Sequence, residues 1–308
     1  MKIIAPDYYK DFSCIADKCN HNCCIGWEID IDEDSLKYYK TIKSDFGDKL
    51  NKNICTDVEV PYFVLAEKER CPFLNDNNLC EIYINLGEEH LCQICSDHPR
   101  FRNFFDFRIE IGIGLACEEA ARLIITKESP MQLICIDNDD ESEMSDDEVF
   151  LNFRQKIFSI LQNRKLDLHK RIINLCDAFD IPKTDFKIKD IIKLYSSLEI
   201  LDEVWLEKLE KLNDCTYNFS SDVSMIIPEE QLLIYFLYRH LPDAQYDGLY
   251  KERIMFSVLS VIIIDMLYHA HSCKSIKDLI EFSRMYSAEI EYSEDNINKI
   301  LEFLKLED

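Results

Sequence analysis

The chain has 308 residues, 47% of them hydrophobic, enough for one large domain or two ordinary ones with a buried core. Its 35 Lys and Arg against 59 Asp and Glu leave a formal net charge of −24. Such a field repels nucleic acid and anionic membrane, both of which are held through Lys and Arg, and favours a basic or lysine-bearing partner. The same acidity keeps a protein soluble whatever it binds.

In chain order, residues 1–8 meet Pro6 and Asp7 without a long apolar run, so no targeting segment is read there. Trp27-Glu28-Ile29-Asp30-Ile31-Asp32 alternates apolar and acidic, the pattern of a half-buried strand. The composition predicts a helix over 35–45, begun by Asp34 or Ser35 as N-cap. Arg108 to Ile113 alternates again and leads into helix-forming residues from Cys117 to Leu123. The acidic block from Asp137 to Glu148 cannot pack and reads as a solvated linker.

Beyond residue 149 the pattern is helical. Phe150, Phe153, Ile157, Ile160 and Leu161 fall at spacings of three and four, as do Leu232, Leu233, Phe236, Leu237 and Leu241. Ile254, Val258, Ile262 and Met266 form a similar stripe, and breaks are signalled at Pro182, Pro228 and Pro242-Asp243. The apolar stretch from Met255 to Leu267 contains Asp265 and is shorter than the roughly 20 residues that span a bilayer. The expected protein is soluble and cytoplasmic. It is mostly α, with a cysteine-rich metal-binding N-terminal lobe with short strands (1–136), an acidic linker (137–148) and an all-α helical domain (149–308).

Ten of the fourteen cysteines precede residue 118. In a reducing cytosol such clustering points to metal or redox chemistry rather than to disulfides. The first group is Cys14, Cys19, Cys23 and Cys24; the second is Cys71 and Cys80; the third is Cys92 and Cys95, with Cys117 closing the set. A metal needs soft ligands converging from different loops. The Asn-Asp-Asn-Asn segment between Cys71 and Cys80 suits a hairpin that brings the two sulfurs side by side. The Cys92-x2-Cys95 spacing suits a tight knuckle. Zinc and iron–sulfur both satisfy this chemistry. Eight or more irregularly spaced candidates, with Cys23 and Cys24 adjacent, fit an iron–sulfur cluster better than one tetrahedral ion.

Cys92 is either a ligand or a spare thiol, and His21 and His98 sit beside the cysteines as further candidates. Cys55, Cys135, Cys176, Cys215 and Cys273 read as small buried hydrophobes. His240, His269 and His271 fall on predicted helices, in core or surface roles.

Several segments together resemble the flagellin lysine-N-methylase family, within a wider group of zinc- or iron-chelating proteins with a double-cysteine motif. They are Cys14…Cys19…Cys23-Cys24-Ile25-Gly26-Trp27, Cys71-Pro-Phe-Leu…Leu79-Cys80-Glu-Ile-Tyr, Leu86-Gly87-Glu88-Glu89…Cys95…Pro99-Arg100, and Leu115-Ala116-Cys117-Glu118-Glu119-Ala120-Ala121-Arg122-Leu123. The resemblance covers roughly residues 8 to 125. It implies a ligand set of Cys14, Cys19, Cys23, Cys24, Cys71, Cys80, Cys95 and Cys117, holding an iron–sulfur cluster, 4Fe–4S in type, with zinc as the alternative. It further implies methyl transfer from S-adenosylmethionine to lysines of flagellin or another lysine-bearing protein.

The residues themselves single out no catalytic base and no donor site. Gly112-Ile113-Gly114 lacks the third glycine of a dinucleotide fingerprint, since Cys117 stands there; packing or turning is the simpler role. Cys19-x3-Cys23 begins a radical S-adenosylmethionine pattern, but Gly26 occupies the third position. Two other functions stay open: a non-enzymatic zinc or iron–sulfur module, structural or electron-carrying, with a helical interaction domain, and a simple dithiol redox protein using Cys92 and Cys95.

Overall fold

The computed structural model describes residues 1–138, 148–181, 187–214 and 224–305. Its strands are β1 (Lys2–Pro6), β2 (Ile54–Cys55), β3 (Tyr62–Phe63), β4 (Arg100–Phe104), β5 (Arg108–Ile113) and β6 (Leu133–Asn138). Its α-helices are α1 (Glu33–Thr41), α2 (Asp45–Lys52), α3 (Glu81–Leu86), α4 (Gln93–Asp97), α5 (Glu118–Ile125), α6 (Glu148–Leu161), α7 (Leu168–Ala178), α8 (Ile188–Ser196), α9 (Glu203–Glu210), α10 (Ile226–His240), α11 (Ala244–Asp247), α12 (Tyr250–Ala270), α13 (Ile276–Tyr286) and α14 (Glu294–Leu304). The protein is mostly α, with its short strands toward the N-terminus, as the sequence pattern predicts.

The chain divides into two compact units, residues 13–100 and residues 1–12 with 101–308. This division differs from the one read at the acidic block, of which 139–147 lie outside the described residues. The physical reason is β1. It pairs in parallel with β5 and antiparallel with β6, in a sheet ordered β4-β5-β1-β6. Residues 101–138 are thereby tied to the chain start and grouped with the helices.

In the 13–100 unit, Ile29 and Ile31 are buried, as their alternation requires. The Ile31 amide bonds Pro61 and Ile29 accepts from the Phe63 amide, but only an isolated bridge, Asp30 to Tyr62, forms in place of a regular strand. The helix expected over 35–45 starts at Glu33 with Asp32 as N-cap and ends at Thr41; Ser44 then caps a second helix, α2. Tyr39, Leu50, Phe63 and Phe73 fill the core, with the Phe63 and Phe73 rings edge-on at 4.9 Å.

In the larger unit, α10 and α12 are buried along most of their length. Pro228 lies within the first turn of α10, where its missing N–H costs nothing. Pro242 follows the helix, and Pro182 lies outside the described residues. Helix α12 runs 21 residues, longer than the apolar stretch from Met255 to Leu267, because its flanks are helical too. It is long and apolar enough to cross a membrane, yet 78% of its apolar window is buried within the protein. Gly112 has the packing role, since any Cβ there would collide with the Phe101 ring. Glu110, fully buried, takes two 2.6 Å hydrogen bonds from Arg154.

Candidate metal centre

Backbone contacts join two of the cysteine groups of the 13–100 unit, and a side chain anchors the third. Asn22 Oδ1 accepts the Cys24 amide at 2.9 Å, and the Trp27 indole N–H donates to the Cys23 carbonyl. Gly26 turns the chain at φ +92°, a region that favours glycine. The Cys71 amide then donates to the Cys24 carbonyl at 2.8 Å, joining the first group to the second.

The hairpin expected between Cys71 and Cys80 is present. Asn75 Oδ1 accepts the amides of Asn77 (2.9 Å) and Leu79 (3.0 Å), the side-chain-to-backbone turn that favours Asn here. Asn78 adopts the left-handed region at φ +57°, and a bridge pairs Leu74 with Cys80. Arg70 ties the loop down through the Asn75 carbonyl (2.6 Å) and Asn78 Oδ1 (2.9 Å).

The third group begins α4. The amides of Cys95 and Ser96 bond the Cys92 carbonyl at 2.9 and 3.0 Å. Asp32 Oδ2 accepts the Gln93 amide at 2.8 Å, while its Oδ1 caps α1 through the Ser35 amide at 2.9 Å. Asp32 therefore anchors two helix starts, a role the sequence did not reveal. Cys92 is fully buried; its Sγ lies 3.4 Å from the Tyr39 hydroxyl, which donates to the His90 carbonyl at 2.7 Å.

These thiols sense one another. A hydrogen bond with Cys24 draws the exposed Cys23 thiol down to about 4, helped by His98. Cys24, which keeps the shared proton, is pushed up by that bond, by burial and by the charges of Cys23, Cys71 and Cys80. Burial lifts Cys71 to about 11, with Cys80 and Cys92 adding to it. Cys95 is raised by its hydrogen bond with Cys92, by burial, and by Cys92, Cys24 and Cys71. So many thiolates cannot ionise together without a cation among them.

Other predicted ligands are placed differently. Cys14 Sγ accepts the Ala16 amide at 3.4 Å, and the Cys19 thiol donates to the His21 carbonyl at 3.1 Å. Cys117 belongs to the larger unit, as N-cap residue of α5. The remaining described cysteines depart only in part from the buried role expected of them, since Cys176 and Cys273 pack against the apolar core. Cys55, Cys176 and Cys273 are half-buried, and Cys135 is exposed on the edge strand β6. Cys215 lies outside the described residues.

No group of three or more His, Cys, Asp or Glu side chains is disposed to hold one metal ion among the described residues. By donor chemistry the set still fits a soft metal: Cys23, Cys24, Cys71, Cys80 and Cys95 offer five sulfurs from three segments of one unit. His98 carries a further signal. Its Nε2 is buried without a hydrogen-bond partner, a state that costs about 1–3 kcal/mol for an ordinary polar group.

Fold and site together define a helical protein with a cysteine-gathering unit. It is distantly related to the lysine-N-methylases. The chain is 28% identical over 141 residues to the lysine-N-methylases of Salmonella choleraesuis and Salmonella typhimurium, covering 42% of this chain and 34% of each of theirs. It is equally similar to the flagellar biosynthetic protein FliU of Salmonella muenchen, covering 42% of this chain and 81% of that protein. The match thus spans about a third of the length of the methylases. No family model matches the chain, and no solved structure matches it significantly.

Proposed function

We propose that the chain is an iron–sulfur protein that transfers methyl groups from S-adenosylmethionine to lysine side chains of a protein. Flagellin is the substrate to test first. The reading is carried by one observation: Cys23, Cys24, Cys71, Cys80, Cys92 and Cys95 share one small unit in a chain whose relatives are named lysine-N-methylase. The relative named FliU supports the flagellar setting. Cys23, Cys24, Cys71, Cys80 and Cys95 would hold the cluster, with Cys14 and Cys19 as further candidates within the same unit. When bound, such a cluster supplies a soft, redox-active centre. A cytoplasmic setting, where thiols stay reduced, belongs to the same proposal.

Methyl transfer breaks the donor's S–CH3 bond and forms an N–CH3 bond; the donor leaves as a thioether and the lysine ammonium gives its proton to a base. The net charge of −24 favours approach of a lysine-bearing surface.

The test incubates anaerobically reconstituted protein with flagellin and donor and maps lysine methylation by mass spectrometry. Methylated lysines that depend on both protein and donor are expected. A loaded protein that binds no donor and methylates nothing would instead establish the non-enzymatic metal module.

A further inference from the structure

We propose that His98 is a nitrogen-donating ligand of the cluster held by the 13–100 unit, taking one iron position in place of a thiolate, an inference that rests on the iron–sulfur reading above. His98 stands three residues beyond Cys95 and ends α4, its amide bonded to the Ile94 carbonyl at 3.1 Å. The backbone that sets the Cys92–Cys95 turn therefore also sets this ring. The imidazole lies 6.0 Å from the Trp27 ring, centre to centre, and beside the Cys23 thiol. Trp27 in turn bonds the Cys23 carbonyl. One short segment thus fixes both the thiol and the ring beside it.

The distinguishing feature is the Nε2 atom, which is buried and has no hydrogen-bond partner. Buried polar atoms are nearly always partnered, and an exception asks for a missing ion or water. A neutral imidazole nitrogen is a good ligand for iron, and the Cys23 thiol lies beside the ring. His90 of the same unit is otherwise engaged: it stacks on Tyr38 at 3.9 Å, and its carbonyl accepts from the Tyr39 hydroxyl.

A histidine in place of a thiolate leaves the cluster less negative and raises its reduction potential. His98 would therefore set the potential as well as hold the metal.

The test uses the full chain labelled with 15N-histidine, reconstituted anaerobically with iron and sulfide, reduced with dithionite and measured by pulsed electron paramagnetic resonance. A strongly coupled nitrogen that changes with the label is expected, lost in His98→Ala and kept in His21→Ala and His90→Ala. His98→Cys should bind the same iron at a lower midpoint potential. Should His98→Ala fail to take up iron, the labelled wild-type chain with the His21 and His90 variants still decides. Bound iron without histidine coupling, or coupling that survives His98→Ala, overturns the assignment and leaves the cluster intact. A chain that takes up no iron overturns both.

Discussion

The Asp32 carboxylate accepts the Gln93 amide at 2.8 Å across 61 residues of sequence, while also capping α1 through Ser35. One side chain thus fixes the start of α1 and the start of the helix that carries Cys95.

Loss of that carboxylate should be felt at both places. Asp32→Ala is expected to destabilise the protein by about 1–2 kcal/mol, the usual cost of a lost N-cap, read from urea unfolding. It should also lower the metal bound per chain, because the Cys92–Cys95 turn loses its anchor. Unchanged stability would show that the two caps are dispensable.

The Cys71–Cys80 hairpin gives a pair of opposite outcomes. Asn75→Ala removes the acceptor for two amides and should cost roughly 1–3 kcal/mol. Asn78 already sits at φ +57°, so Asn78→Gly should be tolerated, whereas Asn78→Val should destabilise because a β-branched residue resists that region. Thermal unfolding of the three variants checks the order.

The cysteines should divide by role. Cys24→Ser, Cys71→Ser and Cys95→Ser are each expected to reduce metal content and visible absorption after reconstitution. Cys92→Ser should keep most of the metal, since Cys92 is buried against the Tyr39 hydroxyl and stands outside the ligand set. Equal losses in all four variants would make Cys92 a ligand.

In the larger unit, Glu291 is fully buried within a polar network. His240 Nε2 lies 2.6 Å away, Arg239 Nε 3.2 Å, and the Tyr235 hydroxyl 3.1 Å from both carboxylate oxygens. Burial opposes ionisation of Glu291, but Arg239 and His240 outweigh it and hold the carboxyl below the ordinary glutamate range. Burial holds His240 below the ordinary imidazole range, against the pull of Glu291. Both groups therefore bind protons more readily in the unfolded chain. Stability should be full above about pH 6.5, decline as unfolded His240 protonates, and decline again below about pH 4.3 as Glu291 does. Glu291→Gln should cost ~3–5 kcal/mol at neutral pH, as expected when one partner of a buried pair is removed, and should flatten the lower part of the profile. Melting temperature against pH measures both effects.

Much of this was legible in local pattern. The alternation of Ile29 and Ile31 foretold their burial, the stripe of Phe150, Ile157 and Leu161 foretold α6, and the Asn-rich spacer foretold the Cys71–Cys80 hairpin. What escaped depends on partners distant in sequence. The cap role of Asp32 needs Gln93, and β1 joins a sheet only because residues 108–113 and 133–138 flank it. Nor does residue type reveal that Cys135 faces outward from an edge strand. The proximity of His98 to the cysteines was visible, but its unpartnered nitrogen was not.

The central claim is that the 13–100 unit binds an iron–sulfur cluster. It is tested most directly by metal and acid-labile sulfide analysis of anaerobically purified protein, together with its optical spectrum. Iron with sulfide and broad visible absorption is the predicted result. Stoichiometric zinc in a colourless protein, or no bound metal after reconstitution, would contradict it.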